Sequence, residues 1–284
     1  MTYRIATVPY LAARPLVDAL DELAPERVRV ISAVPSVLPE LLHADEADAA
    51  LIPVVECWRG AGDGIVPGVG IATGRRVDSV KLFSRVAPTR IRHVAVDRGS
   101  RTSVALLRIL FADLYDVQPD FKVLEPRVDT LLDDHEAALV IGDRGFAAEG
   151  RFRAEGREDV HIVDLGETWR QMTGLPFVFA VWALGRRFVT GAGVAEREEL
   201  VALLTRSRDL GLSRIDELAA RAAAEGCLGP GGVCSADVIR GFFAESMCYA
   251  LGEREMAGLR RFHTLCVRHA ICPPGRGVDF TART

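Results

Sequence analysis

The segment IRHVAVDRGSRTSVALLRILF, residues 91–111, joins an apolar strand-like run to an amphipathic helix-like run through a short polar turn. The turn, GSRTS at 99–103, places a glycine, three hydroxyl residues and an arginine where the strand gives way to the helix. The first N–H groups of a helix lack intrahelical partners and carry the positive end of the helix dipole. The segment therefore predicts an α/β fold with an anion site at the start of this helix.

The candidate anion ligands in the turn are Ser100, Arg101, Thr102 and Ser103. The hydroxyl groups can donate hydrogen bonds to an anion, and the guanidinium of Arg101 can form a two-pronged pair with a carboxylate. The alternative is structural: one hydroxyl side chain caps the helix, and Arg101 is solvated.

The same alternation of strand and helix extends in both directions along the chain. Strands are predicted in YRIATVPY, RVRVISAV, AALIPV, SVKLFSRV, RHVAVD, DFKVLE, AALVIGD and GLPFVFAVWALGRRF, and intervening helices in PLVDALDEL, SVLPELLHAD, SVALLRILFADLY and VDTLLDDHE. Helices then dominate, in AEREELVALLTRSRDLG, SRIDELAARAAAEG, SADVIRGFFAESMCYAL and EREMAGLRRFHTLCVRHA.

Two successive strand–helix series separated near Pro88 predict two α/β lobes. We expect the first lobe to consist of residues 1–87 and 186–284, with the helical tail packed back on it. We expect the second lobe to consist of residues 88–185. A cleft between two lobes is the usual position of a small-molecule site.

The composition of the chain argues against several classes of function. The chain has 284 residues, 49% hydrophobic, and a net charge of -4, which argues against a nucleic-acid partner. Its longest apolar run is too short to cross a bilayer, and no export signal is recognised at the N-terminus. We expect a soluble, cytoplasmic protein without a membrane partner, whose six cysteines are reduced. The sequence carries no indication of the oligomeric state.

Several long blocks, in order, resemble one known family. They are VPYLAARPL near the start, DAALIPVVE at 48–56, SVKLFS at 79–84, VAVDRGSRTSVALLRILF, AALVIGD, DLGETWRQMTGLPFVFAVWA at 164–183 and YALGEREMAGLRRF at 249–262. On these blocks the chain resembles the menaquinone-biosynthesis family of the futalosine pathway, and within it the chorismate dehydratase branch.

The resemblance implies a two-lobed fold of the type II periplasmic-binding-protein class, with two crossing strands near 83–88 and 178–186 and a cleft that holds the substrate. The implied partner is a small dicarboxylate, chorismate, which the family dehydrates to 3-[(1-carboxyvinyl)oxy]benzoate without a metal or organic cofactor. The opening motif departs from the family at Ala12, where the family usually has Asn.

With this substrate, the turn at 100–103 is expected to bind one carboxylate, with Ser79 contributing from the hinge. The alternative for Ser79 is a hydroxyl that ties two strands together. Gly142 and Asp143 follow a strand, where open α/β sheets present ligand contacts. Asp143 is a candidate acid or a ligand of the C4 hydroxyl, and its alternative role is to cap the next turn.

The remaining candidates carry similar alternatives. Glu56 is either a general base or a solvated loop carboxylate. Thr173 and Gly174 either line the cleft or form an ordinary turn. Tyr10 either closes over the substrate ring or packs between elements, and Arg14 faces a carboxylate or water. Trp169 is expected in the core.

No histidine stands out as a base, because His43, His93, His135 and His161 lie within or beside predicted helices and strands. The departing hydroxyl and the C3 proton of chorismate lie on one face of the ring, so a single group can serve both transfers. The substrate's own enolpyruvyl carboxylate is therefore a candidate base.

Two further interpretations compete. In HTLCVRHAIC, the residues His263, Cys266, His269 and Cys272 recur every third position, but steps of three drift around an α-helix, so ordinary helix faces are favoured over a zinc site. The function alternatives are a non-catalytic binding protein of the same fold, or 1,4-dihydroxy-6-naphthoate synthase of the same pathway.

Overall fold

The computed structural model describes residues 2–124, 132, 135–189, 194–226 and 234–274. The strands are β1 (Tyr3–Thr7), β2 (Val28–Ser32), β3 (Ala49–Pro53), β4 (Gly64–Thr73), β5 (Val80–Ser84), β6 (His93–Asp97), β7 (Asp120–Leu124), β8 (Ala137–Ile141), β9 (His161–Asp164), β10 (Phe177–Leu184) and β11 (Cys248–Ala250). They form two sheets, in the orders β11-β4-β10-β3-β1-β2 and β7-β6-β8-β5-β9.

The helices are α1 (Arg14–Val17), α2 (Leu20–Leu23), α3 (Leu38–His43), α4 (Val54–Trp58), α5 (Thr102–Leu110), α6 (Asp143–Ala154), α7 (Leu165–Thr173), α8 (Val194–Ser213), α9 (Ile215–Ala224), α10 (Ala236–Gly241) and α11 (Glu253–Arg268). Helix α5 continues as a π-helical turn at Phe111–Tyr115, and α10 as another at Phe242–Ser246. None of the described helices is both long and apolar enough to span a membrane.

Each sheet mixes parallel and antiparallel pairs. In the first, β1 pairs in parallel with β2 and β3, whereas β10 runs antiparallel to β3 and β4. In the second, β6 pairs in parallel with β7 and β8, and β5 runs antiparallel to β8 and β9. We call each sheet, with the helices that follow its strands, a lobe. The predicted alternation is confirmed, but β10 and β5 add antiparallel pairs because each enters its sheet from the other lobe.

The positions of the lobe crossings differ from the prediction. The chain leaves the first sheet after β4 and returns to it with β10, so residues 74–79 and 165–176 connect the lobes, instead of 83–88 and 178–186. The reason is pairing: β5 bonds to β8 and β9 of the second sheet, and β10 bonds to β3 and β4 of the first.

Three strands, β4, β9 and β11, and three helices, α4, α6 and α7, were not predicted. Strand β4 contains Pro67 and three glycines, which have low strand propensity, yet it pairs with both β10 and β11. Strand β11 lies in a segment predicted as helix, and it pairs with the free edge of β4. The helix predicted in VDTLLDDHE falls mostly on residues outside the described ranges.

Asp164 holds the two connections between the lobes together. Its carboxylate accepts hydrogen bonds from the backbone N–H groups of Val77 (3.0 Å) and Asp78 (2.8 Å) in one connection, and from Glu167 (3.0 Å) in the other. Trp169 is fully buried, as predicted, and its indole N–H donates to the carbonyl of Pro176 at 3.1 Å. These bonds fix the hinge from which the cleft opens.

Candidate active site

A cavity lies between the two lobes, with about 650 Å³ of empty space, which includes open solvent. The first lobe contributes the ends of β1 and β3 and part of β10, and the second lobe contributes the start of α5 and the end of β8. Of the predicted binding residues, six border it: Tyr10, Ser79, Arg101, Thr102, Ser103 and Gly142. Ala12, the position that departs from the family motif, borders it too.

The start of α5 forms the polar wall of the cavity. Thr102 and Ser103, its first residues, are buried, and the N-cap residue Arg101 makes no side-chain cap bond. The Oγ1 of Thr102 is buried without a hydrogen-bond partner among the described residues. Thr102 therefore does not cap this helix with its side chain, as the alternative interpretation proposed. The Thr102 hydroxyl remains available to a ligand.

Asp97 shapes the turn before α5, a role that the sequence did not reveal. Its Oδ1 accepts from the N–H of Gly99 at 2.7 Å, and its Oδ2 accepts from Arg144 at 2.7 Å. Because Asp97 ends β6, its carboxylate ties the strand to the turn that precedes α5. The only available signal was the position of an Asp two residues before a glycine.

Tyr10 and Gly142 both border the cavity and lie close together, one from each lobe. Gly142 has φ of +66°, and a Cβ atom added there would lie 3.0 Å from the Tyr10 ring. Burial raises the pKa of the Tyr10 hydroxyl to about 12, so it is neutral and able to donate at pH 7. Ser79, near the hinge, is buried and donates weakly to the carbonyl of Val77 at 3.3 Å.

The two predicted catalytic carboxylates do not border the cavity. Asp143 begins α6, and its Oδ1 accepts from the N–H of Leu11 at 2.9 Å, across the lobes. Burial raises the pKa of Asp143 to about 6, partly offset by that hydrogen bond. Glu56 lies on α4, where its Oε1 accepts from Arg59 at 2.9 Å and lies 4.0 Å from Nε of Arg101.

Three of the other predicted binding residues also lie away from the cavity. Arg14 pairs with Glu225. Thr173 donates to the carbonyl of Trp169 at 2.8 Å, and Gly174 ends α7 in the left-handed conformation with φ of +72°. The turn proposed as the alternative for Thr173 and Gly174 is what the backbone forms.

Ser100 also differs from its predicted position. It is buried, and it borders a separate groove on the other side of the α5 turn rather than the cavity. We call this the outer groove. Arg101 borders both the cavity and the outer groove.

The four regularly spaced histidines and cysteines do not converge on one point, although the side chains of Cys266 and Cys272 contact each other. The ring of His263 packs on Trp58 with centroids 4.8 Å apart, and Nε2 of His269 lies 2.9 Å from Oδ1 of Asp113. Cys266 and Cys272 are both buried. Across the described ranges, no three metal-ligating side chains group together.

The remaining wall of the cavity is apolar, and most of it was not anticipated from the sequence. It includes Val8, Pro35, Leu51, Pro53, Ile71, Phe179 and Met247. Val8 and Pro53 lie at the ends of β1 and β3, where the rule that ligands bind at strand ends indicates a site. No local signal marks Phe179 or Met247, because they approach through long-range packing.

The charge balance of the cavity favours an anion. Among the described residues, the ionisable side chains that border it are those of Tyr10 and Arg101. A neutral phenol, a guanidinium and the N–H groups at the start of α5 therefore face an apolar chamber, where their interaction with a negative charge is strengthened. The arrangement suits a small, mostly apolar molecule that carries a carboxylate.

Comparisons with known proteins agree with this geometry. The family model described as menaquinone biosynthesis matches residues 3–268. The chain belongs to the menaquinone-biosynthesis family. Within that family, it is 33% identical to the chorismate dehydratase of Thermus thermophilus over 205 residues, which cover 68% of this chain and 73% of the relative.

Solved structures define the fold of this family member. A protein of Archaeoglobus fulgidus superposes with a TM-score of 0.73 at 14% identity, covering 95% of this chain and 98% of that one. The periplasmic aliphatic sulphonate binding protein of Escherichia coli superposes with a TM-score of 0.65 at 16% identity, covering 98% and 90%. The predicted two-lobed, periplasmic-binding-protein-like α/β fold is confirmed.

Proposed function

We propose that this protein is a chorismate dehydratase, which eliminates water from chorismate to give 3-[(1-carboxyvinyl)oxy]benzoate. The observation that carries the proposal is the start of α5, where an unpartnered Thr102 hydroxyl and the Arg101 guanidinium border an apolar cavity between the lobes. Family membership and the Thermus relative support the same activity. We place the reaction in the cytoplasm, because the biosynthesis of small molecules generally takes place there.

We assign the ring carboxylate of chorismate to the start of α5. Arg101 supplies a guanidinium, Thr102 and Ser103 supply hydroxyl groups, and the first N–H groups of the helix point at the same place. Ser79 approaches from the hinge, and the neutral Tyr10 covers the ring next to Gly142. The apolar wall excludes water from the reacting carbons.

This binding mode also assists proton removal. The C3 proton is vinylogous to the ring carboxylate, so negative charge flows towards that carboxylate as the proton leaves. Donors already aimed at the carboxylate stabilise the enolate-like transition state without rearrangement. Loss of the C4 hydroxyl then completes an aromatic ring, and this makes the elimination strongly downhill without a metal or organic cofactor.

We assign the base to the substrate itself. Within the described part of the chain, no carboxylate or imidazole borders the cavity, and Asp143 and Glu56 are engaged elsewhere. The enolpyruvyl carboxylate of chorismate can reach the C3 proton and the C4 hydroxyl, which lie on one face of the ring. In this mechanism the protein positions the substrate and stabilises charge.

The deciding experiment incubates the purified, metal-stripped protein with chorismate and follows the product by absorbance and mass. We expect loss of one water molecule from chorismate. Saturable binding of chorismate without turnover contradicts the proposal and favours a binding protein of the same fold.

A second substrate tests the assignment of the base. Chorismate whose enolpyruvyl carboxylate is replaced by a carboxamide retains the ring carboxylate but has no base of its own. We expect it to bind and not to react. Turnover of this analogue at the normal rate contradicts substrate-assisted proton removal and leaves the dehydratase assignment intact.

A further inference from the structure

The outer groove lies beside the cleft and is open to solvent. Its walls are one face of α5, the segment that leads into β7, and the turn that follows α11. It has about 1410 Å³ of empty space, which includes open solvent. It shares Arg101 with the cavity and no other described residue, and the remaining residues that border it take no part in the proposed reaction.

The groove concentrates positive charge in a chain whose net charge is -4. Arg59, Arg101, Arg108 and His269 border it, and among the described residues Asp120 is the carboxylate on its rim. Glu56, which pairs with Arg59 and lies 4.0 Å from Nε of Arg101, does not border the groove. The His269 ring is held by Asp113, which lies behind it. The surface presented to a ligand is therefore mainly guanidinium.

Ser100 provides an independent indication of a ligand. The residue is 6% exposed and borders the groove, and its Oγ has no hydrogen-bond partner among the described residues. Burying a hydroxyl without a partner is unfavourable, so such groups are normally satisfied by protein, water or ligand. An anion in the groove would accept a hydrogen bond from this hydroxyl.

Arg108 and Phe121 indicate the kind of anion. Cζ of Arg108 lies 4.2 Å from the centroid of the Phe121 ring, within cation–π distance, and Arg108 forms no ion pair with a described residue. A flat guanidinium offers paired N–H donors along its edge and a face on which a ring can stack. Apolar side chains, such as Val104 and Val117, line the same groove.

We propose that the outer groove binds small aromatic carboxylates. The carboxylate pairs with Arg108 and accepts from Ser100, while the ring packs on the apolar side of the groove. Arg101 remains assigned to the chorismate carboxylate in the cavity. An aromatic acid engages both the polar and the apolar side chains of the groove, whereas inorganic phosphate engages only the polar ones.

The test is a ligand-observed NMR titration of the intact protein with benzoate, acetate and inorganic phosphate. We expect benzoate to bind more tightly than either other anion. The variant Arg108→Ala should weaken benzoate binding at least about tenfold, because it removes a charge-assisted hydrogen bond to the carboxylate. Arg108 is exposed, so its replacement by Ala leaves the fold intact. Ser100→Ala should also weaken benzoate binding without lowering stability, since its hydroxyl has no described partner.

Two matched variants locate the binding. Arg254→Ala removes an exposed arginine of α11 outside the groove, and Thr102→Val removes a hydroxyl that borders only the cavity. We expect Arg254→Ala to retain benzoate affinity. In Thr102→Val we expect any benzoate bound in the cavity to be weakened, and the benzoate binding that depends on Arg108 to remain. If Thr102→Val abolishes benzoate binding and Arg108→Ala leaves it unchanged, the ligand lies in the cavity and the proposal is overturned. Equal affinity for acetate and benzoate overturns the aromatic class. The titration measures binding directly, so it stays informative whether or not chorismate is dehydrated.

Discussion

The Asp143 carboxylate accepts a 2.9 Å hydrogen bond from the backbone N–H of Leu11, and this bond joins the two lobes beside the cleft. The residues on either side reinforce the contact, because Tyr10 packs against Gly142. The bond fixes the distance between the opening motif of the first lobe and the strand end of the second. We therefore interpret Asp143 as a positioning residue for cleft closure rather than as the acid proposed from the sequence.

Asp143→Asn should make stability less dependent on pH. Burial raises the pKa of Asp143 to about 6, above its usual 3.8, so the folded protein binds more protons than the unfolded chain between these values. Its contribution to the free energy of unfolding is thus full below pH 4 and is lost as the pH rises through 6. An amide keeps the acceptor and carries no charge. In urea unfolding at pH 7, Asp143→Asn should have a higher free energy of unfolding than the unchanged protein, by up to about 3 kcal/mol, since one pKa unit corresponds to about 1.4 kcal/mol. This difference should vanish near pH 4.

Asp143→Ala separates the hydrogen bond from the charge. It leaves the Leu11 N–H without its partner, which costs about 1–3 kcal/mol, so Ala should be less stable than Asn at every pH. A difference between the Asp and Asn proteins that stays constant from pH 4 to pH 7 would contradict the role of burial in the pKa of Asp143.

Gly142→Ala should impair both stability and substrate binding. Its φ of +66° and ψ of -152° are accessible essentially to glycine alone, and an added Cβ would lie 3.0 Å from the Tyr10 ring. Strain of this kind costs about 1–3 kcal/mol, and displacement of Tyr10 should raise KM for chorismate. Thermal unfolding and steady-state kinetics measure the two effects.

Gly174→Ala is the matched control. Gly174 also has a positive φ, +72°, but an added Cβ would meet nothing within 4 Å, and the residue does not border the cavity. We expect a lower Tm with an unchanged KM. If both alanine variants raise KM equally, the contact between Gly142 and Tyr10 has no special role in binding.

Thr102→Val should raise KM for chorismate about three- to tenfold, because a neutral hydrogen bond contributes roughly 0.5–1.5 kcal/mol. It should not lower Tm, since the Thr102 hydroxyl is buried without a described partner. Thr168→Val gives the opposite pattern: its hydroxyl donates to the carbonyl of Asp164 at 2.8 Å, away from the cavity, so Tm should fall while KM holds. A drop in Tm for Thr102→Val would instead indicate a structural hydroxyl.

The sequence predicted the fold well where the pattern was local. Alternating apolar strands and short helices indicated both lobes, because each element buries one face against its neighbours. It did not predict β4, because the glycines and proline of this strand have low strand propensity. Pairing with a strand on each side stabilises β4. It also misplaced the lobe crossings, since local sequence does not say which sheet β5 or β10 will join.

The site was predictable to a similar extent. The turn before α5 was recognisable because hydroxyl residues follow a strand and precede a helix. Consecutive residues of a turn point in different directions, however, so Ser100 reached the outer groove while Thr102 reached the cavity. The partner of Asp143 lies 132 residues away in the chain, and no local pattern encodes that contact.

Ala12→Asn tests the one departure from the family motif. Ala12 is 9% exposed and borders the cavity near Tyr10, so an amide at this position would face the substrate. We expect turnover with Ala12 in place, and a KM for chorismate about three- to tenfold lower with Asn, from one added neutral hydrogen bond. Ala12→Leu controls for size, because leucine has nearly the shape of asparagine without its polar atoms, and it should raise KM by crowding the cavity. If Asn and Leu change KM in the same direction and to the same extent, the amide makes no hydrogen bond to the substrate, and position 12 contributes only volume to the cleft.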